Sequence, residues 1–484
     1  MGGRSTTVDA FGDPAFPIEL GASIFVTANT NLVDAADDLG LNYADDEEGS
    51  ETGDVLGVFD GKDILFTYPE GKWWSLAKLL YRYGPMAPYR TKKLTEATVG
   101  KFLAMYKAPL FPFSSLSDAV EAAGLLPAVG STGEQFLAAN GISGAFAQEL
   151  IQASTRVNYG QNLGLIHGLE TIVCMAAEGA MSIAGGNWRI FKGMVDSSNA
   201  DVRLQTSVTA ISRDADGEWT VTSHPDGGKP VSEVYDEVIV AGPLQFANLK
   251  ISPELEKKPD VVPYVSLHVT LFASPLKLDP TAFGLPAGQA VPNTILTTLN
   301  ETEREDPTIT QGEGKKGVGA AGFFSVSTLR TVHRVIFAIG DEKEPQLTTE
   351  YIYKVFSPDR FGDDKIAKLL GVASGNATTW EYRHMWKSYP YEYPRVTFEN
   401  IILADGLWYT AGIESFISTM ETSSLMGSNV ARLVVDKWEA EKAKVEGARI
   451  EAEKEAAEKV AAAEKAAAEE VEPDQPKEAV NEEL

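Results

Sequence analysis

The stretch Met1-Gly2-Gly3-Arg4-Ser5-Thr6-Thr7, followed by Glu19-Leu20-Gly21-Ala22-Ser23, decides the fold that we expect for this chain. Paired glycines carry no Cβ, so a turn at Gly2 and Gly3 lets the backbone approach a bulky anion such as a pyrophosphate. The guanidinium of Arg4 offers a planar fork of donors to phosphate oxygens. A frayed N-terminal turn would have the same composition, so motifs elsewhere must decide between the two interpretations.

The overall composition indicates a packed protein of several domains. The chain has 484 residues, 44% of them hydrophobic, which is enough for two or three domains. Its formal charge is −27 and no basic stripe is evident, so binding to nucleic acid is disfavoured. No run of about 18 apolar residues occurs, so the sequence predicts no transmembrane segment and any membrane contact would be peripheral.

The few cysteine and histidine residues exclude several kinds of site. Cys174 is the only cysteine, which excludes an intramolecular disulfide, and a small buried apolar residue is its most common role. The five histidines never fall at zinc-ligand spacing, so no metal site is predicted. Asn300 and Asn376 each begin an Asn-X-Thr tripeptide and are candidate glycosylation sites if the chain enters the secretory pathway.

Hydrophobic periodicity divides the chain into a helical segment and strand-rich segments. Helices are predicted at 31–41 and through the segment 68–187, which proline and glycine interrupt. In that segment the candidate helices are Trp73–Tyr83, Thr95–Lys107, Ser115–Ala123, Gly133–Ala139 and Ala145–Arg156. The candidate strands are Val202–Leu204, Val208–Arg213, Trp219–Ser223, Val238–Ala241, Val265–Ala273, Arg334–Ala338, Ile401–Leu403 and Leu407–Ala411. Asp405-Gly406, between the last two strands, is typical of a hairpin turn.

The C-terminal segment 439–484 differs in composition from the rest of the chain. It consists mainly of Ala, Glu and Lys, with few large apolar residues. These residues favour a solvated, acidic helix that ends near Pro473. Its apolar residues are too sparse for a heptad seam, so we favour a solvated tail over a coiled coil that binds a partner.

The junction of the last strand with the last helix is a second candidate anion site. Ser418 and Glu421 have the spacing of a capping box, with Met420 in the first turn of the helix. A helix that begins there would present free N–H groups and a partial positive charge. Without other support, an ordinary helix start is the simpler interpretation.

The segment 202–244 adds a third feature. The strand around Val208 can offer backbone groups to an adenine edge, and the turn at Ala241 and Gly242 lets the backbone lie close to a dinucleotide. A plain β-meander is the alternative.

Together these motifs resemble the prenylcysteine oxidase family, also called prenylcysteine lyases, within the flavin-dependent amine oxidase-like proteins. The resemblance spans most of residues 2–436 and rests on short motifs in a fixed order: Gly2-Gly3-Arg4, Glu19–Phe25, Gly185-Gly186-Asn187, Val238–Leu244, Trp386–Pro390, Gly412–Ser415 and Met420-Glu421. It implies an FAD cofactor, whose partially anionic reduced flavin would suit a helix start. It also implies these cofactor-binding residues: Gly2, Gly3, Arg4, Gly21, Ala22, Ser23, Val208, Ala241, Gly412, Met420 and Glu421.

The family's first signature, a strand followed by G-x-G-x-x-G and a helix, should lie before Gly2. Two formal matches, Gly312/Gly314/Gly317 and Gly317/Gly319/Gly322, follow a charged loop instead of a strand and fail this context. We therefore expect an N-terminally truncated member of the family that lacks its first βαβ unit.

The expected fold class is mixed α/β, with a Rossmann-like FAD-binding domain and a substrate domain made of a sheet and a helical insertion. The predicted FAD-binding domain comprises 1–60, 186–245 and 400–436. The predicted substrate domain comprises 61–185 and 246–399, and 437–484 is the acidic tail.

The resemblance implies a flavin-dependent oxidoreductase that uses oxygen to convert prenylcysteine to cysteine, a prenyl aldehyde and hydrogen peroxide. Hydride would leave the carbon next to sulfur, water would add, and the hemithioacetal would collapse. No catalytic side chain is assigned, because no His-Asp or paired-carboxylate motif is evident and the flavin would carry the chemistry. Aromatic residues of the helical segment could line a prenyl tunnel, although core packing is their more common role: Trp73, Trp74, Tyr81, Tyr83, Phe102, Tyr106, Phe111 and Phe113.

Two alternatives remain at this point. One is another flavin oxidase of the amine oxidase type, and the other is a flavin-free remnant that binds lipid or a partner protein. The resemblance also implies a lysosomal or vacuolar protein, although no signal peptide precedes Gly2.

Overall fold

The computed structural model describes residues 2–44, 55–69, 73–176, 179–336, 346–373, 375 and 377–469. The chain divides into two compact units, Met1–Val430 and Ala431–Leu484. No helix among the described residues is long and apolar enough to cross a membrane.

The strands of the described residues, numbered β1 to β18 in chain order, are Thr6–Asp9, Pro17–Gly21, Phe25–Val26, Val55–Phe59, Ile64–Pro69, Ala180–Met181, Thr206–Arg213, Trp219–Pro225, Val231–Tyr235, Val238–Val240, Lys250–Ser252, Tyr264–Ser274, Thr294–Thr297, Ser325–Ile336, Gln346–Ser357, Trp380–Pro390, Ile402–Ala404 and Leu407–Tyr409. The α-helices, α1 to α14, are Thr30–Asp38, Trp73–Tyr83, Met86–Leu103, Leu116–Ala122, Leu126–Val129, Gly133–Ala139, Gln152–Tyr159, Gly168–Met175, Trp188–Ser197, Leu244–Ala247, Glu301–Arg304, Pro307–Thr310, Asp363–Leu369 and Met420–Glu469. A π-helical turn, Phe146–Ile151, leads directly into α7, and a 3₁₀ turn, Ala411–Ser415, follows β18.

The largest sheet has seven strands in the order β16-β12-β15-β14-β13-β4-β5. Neighbours are antiparallel except β13 and β4, which are parallel. Side chains of β12 alternate between its two faces, as the period of two along a strand requires. Val265, Leu267, Val269 and Leu271 enter one buried cluster, whereas Phe272 enters the cluster on the opposite face. The sheet therefore separates two apolar cores.

Two smaller sheets pack together beside it. One has the order β10-β18-β17, with β10 parallel to β18, and the other has the order β11-β7-β8-β9. Buried Ile211 and Trp219 of the four-stranded sheet meet Leu403, Leu407 and Tyr409 of the three-stranded one. The predicted hairpin around Asp405-Gly406 is present, with β17 antiparallel to β18.

The predicted helical segment 68–187 is confirmed from Trp73 to Met175, whereas Tyr68 and Pro69 belong to β5 and Ala180–Met181 forms β6. Two of its helices, α4 and α6, begin directly after a capping side chain. Ser115 accepts from the N–H of Asp118, and Thr132 forms a capping box with Gln135. The predicted start at Thr95 was wrong, because α3 already begins at Met86. Its proline, Pro88, lies in the first turn, where the missing N–H needs no partner.

The predicted strand Val202–Leu204 was also wrong. These residues are exposed and have no regular structure, and the strand starts at Thr206. Gln205 has φ +51, in the left-handed region, so the chain cannot run extended from Leu204 into β7.

The mixed α/β fold class is confirmed. The domain boundaries stay a prediction, and the one at residue 60 falls between the paired strands β4 and β5. In the second unit, the helix α14 continues to Glu469, and its described side chains from 439 to 466 are exposed. Residues 470–484, and with them Pro473, lie outside the described part of the chain.

Candidate functional site

The β1–β2 hairpin brings the first two glycine motifs together. Thr6 of β1 pairs with Gly21 of β2, and a Cβ on Gly21 would lie 3.2 Å from the carbonyl oxygen of Arg4. Gly2 and Gly3 have φ +94 and +56, a region that L side chains rarely adopt. Glycine at these positions is therefore required by backbone geometry.

The residue after Gly21 is strained. Ala22 has φ +53, which is uncommon for a residue with a Cβ. The side-chain amide of Asn187 donates to the Ala22 carbonyl oxygen at 2.8 Å and holds this conformation. Backbone strain of this kind is concentrated at functional sites, so it supports a functional role for Gly21–Ser23.

Arg4 connects the N-terminal turn to the turn that contains Gly412. Its guanidinium lies 2.9 Å from Oε2 of buried Glu414 and also donates to the carbonyl oxygen of Ser388. The hydroxyl of Tyr264 donates to the same Glu414 oxygen at 3.0 Å. Burial, together with the adjacent Glu414 carboxylate, raises the pKa of Tyr264 well above its ordinary value, so the phenol remains a donor.

Ala241 lies next to this turn. It follows β10, and the N–H of Thr410 at the end of β18 donates to the Val240 carbonyl oxygen at 3.2 Å. Parallel pairing of β10 and β18 thus places Ala241 and Gly412 at the same sheet edge. Val208 is elsewhere: it lies on β7 opposite Ser223, 41% exposed, and no described contact joins it to the other predicted residues.

Glu421 has a different role from the one its spacing suggested. The predicted capping box of Ser418 and Glu421 was wrong, because Thr419 accepts from the N–H of Thr422 and the Thr422 hydroxyl accepts from the N–H of Thr419. The hydroxyl of Thr419, one residue after Ser418, therefore accepts from a free N–H group in the first turn of α14.

The Glu421 carboxylate instead stabilises the start of α1. It accepts from the N–H groups of Asn31 and Leu32, both at 3.1 Å, and from the Tyr106 hydroxyl at 2.9 Å. Burial raises the pKa of Glu421, and these hydrogen bonds oppose that rise. Met420 packs beside Leu32 in the same cluster. Met420 and Glu421 therefore position the first turn of α1. This helix begins shortly after Gly21–Ser23 in the chain.

A cavity of about 860 Å³ opens beside this hairpin. Its wall includes Glu19, Ser23, Gly185, Gly186, Arg330 and Lys354. The volume lies in the range of pockets that hold a cofactor or a drug-sized ligand. Ser23 is the predicted site residue that lines it directly, and Gly185-Gly186 belongs to the motifs that carried the family resemblance.

Lys354 and Glu19 set the electrostatics of that cavity. The Lys354 ammonium donates to the Glu19 carbonyl oxygen at 2.6 Å and to the Ser23 hydroxyl at 3.1 Å. Burial lowers the pKa of Lys354 to about 8. Burial also raises the pKa of Glu19 to about 7, against an opposing hydrogen bond from the N–H of Asn187. Both groups can gain or lose a proton near neutral pH.

A second group of ionisable side chains is enclosed in the interior. His167, Glu170 and Glu392 are completely buried, with 3.6 Å between Nε2 of His167 and Oε2 of Glu392. Burial lowers the pKa of His167 to about 3 and raises that of Glu170 to about 8, and burial beside Glu170 raises the pKa of Glu392 well above its ordinary value. At neutral pH the imidazole is uncharged and Glu170 holds its proton, while burial disfavours the charged form of Glu392.

The sequence contains no paired-carboxylate motif, yet the folded chain buries Glu170 and Glu392 close enough for Glu170 to raise the pKa of Glu392. Glu170 and Glu392 are 222 residues apart in the sequence, so no local motif could reveal them. Lys354 was missed for a related reason, because a lone lysine in a strand carries no signal. Asn187 could have been found, since it closes the motif Gly185-Gly186-Asn187.

The remaining predicted residues are divided between surface and interior. Tyr81 is 94% exposed and does not line a tunnel, whereas Phe113 is buried. The side chains of Trp73 and Trp74 and all of Asn376 lie outside the described residues. Asn300 caps α11 by accepting from the N–H of Glu303, and its glycosylation stays a prediction. Within the described ranges, no three His, Cys, Asp or Glu side chains are arranged to hold a metal ion.

Comparison with known proteins gives a consistent result. A family model described as prenylcysteine lyase matches residues 66–447. The chain is 26% identical to prenylcysteine oxidase 1 of Rattus norvegicus over 466 residues, covering 91% of this chain and 83% of that protein. It is 27% identical to farnesylcysteine lyase of Arabidopsis thaliana over 463 residues, covering 92% and 81%.

A solved structure shares the fold. Wild-type putrescine oxidase bound to putrescine superposes with a TM-score of 0.51 at 12% identity, over 90% of this chain and 91% of that one.

Proposed function

We propose, since this chain belongs to the prenylcysteine lyase family, that it is an FAD-dependent thioether oxidase. Its substrate would be farnesyl- or geranylgeranyl-cysteine, and its products cysteine, a prenyl aldehyde and hydrogen peroxide. The names of the rat and Arabidopsis relatives support the substrate, and the fold shared with putrescine oxidase supports an oxidase scaffold. The family match over most of the chain is the observation that carries the proposal.

The residues around Arg4 fit a bound dinucleotide. A Cβ on Gly3 or Gly242 would meet no atom within 4 Å, so open space adjoins both glycines. Buried oxygens of Ser5, Glu19 and Ser388 have no hydrogen-bond partner among the described residues. Buried polar atoms are seldom left unpaired, so a ligand or water is expected there. Gly2–Arg4, Gly21–Ser23 and the Ala241 and Gly412 edge would hold the cofactor, which when bound accepts hydride from the carbon next to sulfur.

Side chains of the protein would accept and transfer the proton that the attacking water loses. Water that adds to the oxidised carbon must lose a proton, and the Glu19 carboxylate on the cavity wall can accept it. Lys354 holds the Glu19 backbone and the Ser23 hydroxyl, so it positions this acceptor. The proton then passes to the departing cysteine sulfur when the hemithioacetal collapses.

The test is product analysis of the purified chain, supplied with FAD, farnesylcysteine and oxygen. We expect prenyl aldehyde and peroxide in equal amounts, and a Glu19→Gln variant that turns over roughly a hundredfold more slowly because its general base is lost. Glu256→Gln, at an exposed carboxylate that is not part of the cavity wall, is the control and should leave turnover unchanged. Peroxide from putrescine, without aldehyde from farnesylcysteine, would contradict the proposal. The lysosomal or vacuolar localisation stays a prediction.

A further inference from the structure

The consecutive helices α2 and α3 have a local charge opposite to that of the whole protein. Residues 73–107 contain one acidic residue, Glu96, in a chain of net charge −27. The basic residues of the same segment are Lys78, Arg82, Arg90, Lys92, Lys93, Lys101 and Lys107. At physiological salt, charges more than about 8 Å away are largely screened, so a ligand close to these two helices experiences their local positive charge.

Most of this positive charge has no ion-pair partner among the residues that the structure describes. Arg82 is the exception, because it is paired with Glu149 at 2.8 Å. Among the residues that the structure describes, Lys78, Lys92 and Lys93 form no ion pair. All three are exposed, and the ammonium group of Lys93 lies 5.0 Å from the centre of the Tyr89 ring.

Large apolar side chains of the same two helices are also exposed. Tyr81 is 94% exposed, Tyr89 53% and Met86 52%. Tyr83, two residues after Tyr81, is directed inwards, where its hydroxyl donates to Glu149 and its ring packs on Phe146. Because positions two apart lie on nearly opposite sides of a helix, anchoring Tyr83 directs Tyr81 to the solvent.

We propose that the exposed side chains of α2 and α3, namely Lys78, Tyr81, Met86, Tyr89, Lys92 and Lys93, bind the headgroup layer of an anionic lipid membrane. Lysines attract anionic lipids, and tyrosines are favoured at the level of the headgroups. An acidic protein or a nucleic acid would use the lysines but would not need tyrosine and methionine side chains that project from the surface. The partner is therefore a lipid surface, and the contact is peripheral.

Co-sedimentation with vesicles tests this proposal independently of enzymatic turnover. We expect the full chain to bind vesicles with one third phosphatidylserine and two thirds phosphatidylcholine, and to bind pure phosphatidylcholine far more weakly. Lys78→Glu, Lys92→Glu and Lys93→Glu together should weaken binding at least about tenfold, since each basic residue near a charged membrane contributes appreciably. Tyr81→Ser with Tyr89→Ser should weaken it several-fold even at high salt, because apolar contact is not screened.

The matched control carries the same charge change at three exposed lysines elsewhere, Lys229→Glu, Lys250→Glu and Lys257→Glu. It should retain binding. An equal loss in the control, absence of binding by the unchanged chain, or equal binding to pure phosphatidylcholine would overturn the proposal. Equally tight binding to polyglutamate or duplex DNA would also overturn it, in favour of a polyanion site. The milder Lys92→Gln variant, with its thermal unfolding recorded, separates loss of binding from loss of folding.

Discussion

Two sets of buried carboxyl groups in this protein differ in whether they have hydrogen-bond and ion-pair partners. Glu414 and Glu421, near the β1–β2 hairpin, are paired: the first meets Arg4 and Tyr264, and the second accepts two backbone N–H groups and a phenol. Glu392 lies beside an uncharged His167, Glu170 is buried near Glu392, and the carboxyl oxygens of both have no hydrogen-bond partner among the described residues.

The difference shows what holds each region together. A carboxylate with several donors connects separate elements, so Glu414 and Glu421 tie the N-terminal turn and α1 to the segment 411–421. A fully enclosed carboxyl without a cation must keep its proton or bind buried water, as burial disfavours the charged form. The first group is expected to report on connections between elements, and the second on pH.

The largest predicted effect concerns the pH dependence of Glu170. Its pKa is raised from 4.5 to about 8, so the folded state binds more protons than the unfolded state between those values. The stability from this group is complete below pH 4.5 and is lost as the pH rises through about 8. Glu170→Gln removes this loss. Relative to the unchanged chain, the free energy of unfolding of the variant should rise by up to about 1.4 kcal/mol per pH unit between pH 4.5 and about 8.

Urea unfolding at intervals from pH 5 to 8.5 measures this difference. His167 has its pKa lowered from 6.5 to about 3, so its opposite contribution grows between those values and is constant above them. Glu134→Gln, at an exposed carboxylate of α6, is the control and should follow the unchanged chain at every pH. Parallel stability curves for Glu170→Gln and the unchanged chain would show that Glu170 is not held protonated.

The next effect concerns the connection made by Glu421. Glu421→Ala leaves the N–H groups of Asn31 and Leu32 and the Tyr106 hydroxyl without their acceptor. We expect a loss of about 3 kcal/mol in the free energy of unfolding, because unpaired buried donors are costly. Chemical denaturation at neutral pH measures it.

Two neighbouring variants sharpen this result. Glu421→Gln keeps an acceptor oxygen and should lose less than Glu421→Ala. Ser423→Ala, which removes an exposed hydroxyl in the same helical turn, should change stability by less than about 0.5 kcal/mol. A Glu421→Ala variant as stable as Ser423→Ala would mean that α1 does not depend on this cap.

The smallest effect on stability is predicted for Arg4. Its side chain is 38% exposed, so solvent screens the ion pair with Glu414, and Arg4→Gln should lose less than about 1 kcal/mol. If Arg4 also binds the phosphates of FAD, the dissociation constant of FAD should rise about tenfold, or about 1.4 kcal/mol. Denaturation and FAD titration together measure both quantities. Lys62→Gln, at an exposed lysine, should change neither, and a stability loss in Arg4→Gln without weaker FAD binding would assign Arg4 a structural role alone.

Much of the fold could be predicted because its signals are local. Ser115 and Thr132 cap helices where the sequence placed helix starts, and Asp405-Gly406 joins two strands. Local signals failed where neighbours compete, as when Thr419 replaced Ser418 as the cap. The predicted cofactor residues are brought together only in part, because Val208 lies on another sheet, and their cofactor role stays a prediction.

The sequence by itself determined the family, the mixed α/β class and the glycine turns near Arg4, because short motifs and periodicity carry that information. Only the tertiary structure decided that Lys354 lies at the cavity wall beside Glu19, that Glu170 and Glu392 are both buried, and that Tyr81 is exposed to solvent. Burial and pairing depend on which distant segments meet. The charge state of a buried group therefore follows from the packed environment, which no stretch of sequence contains.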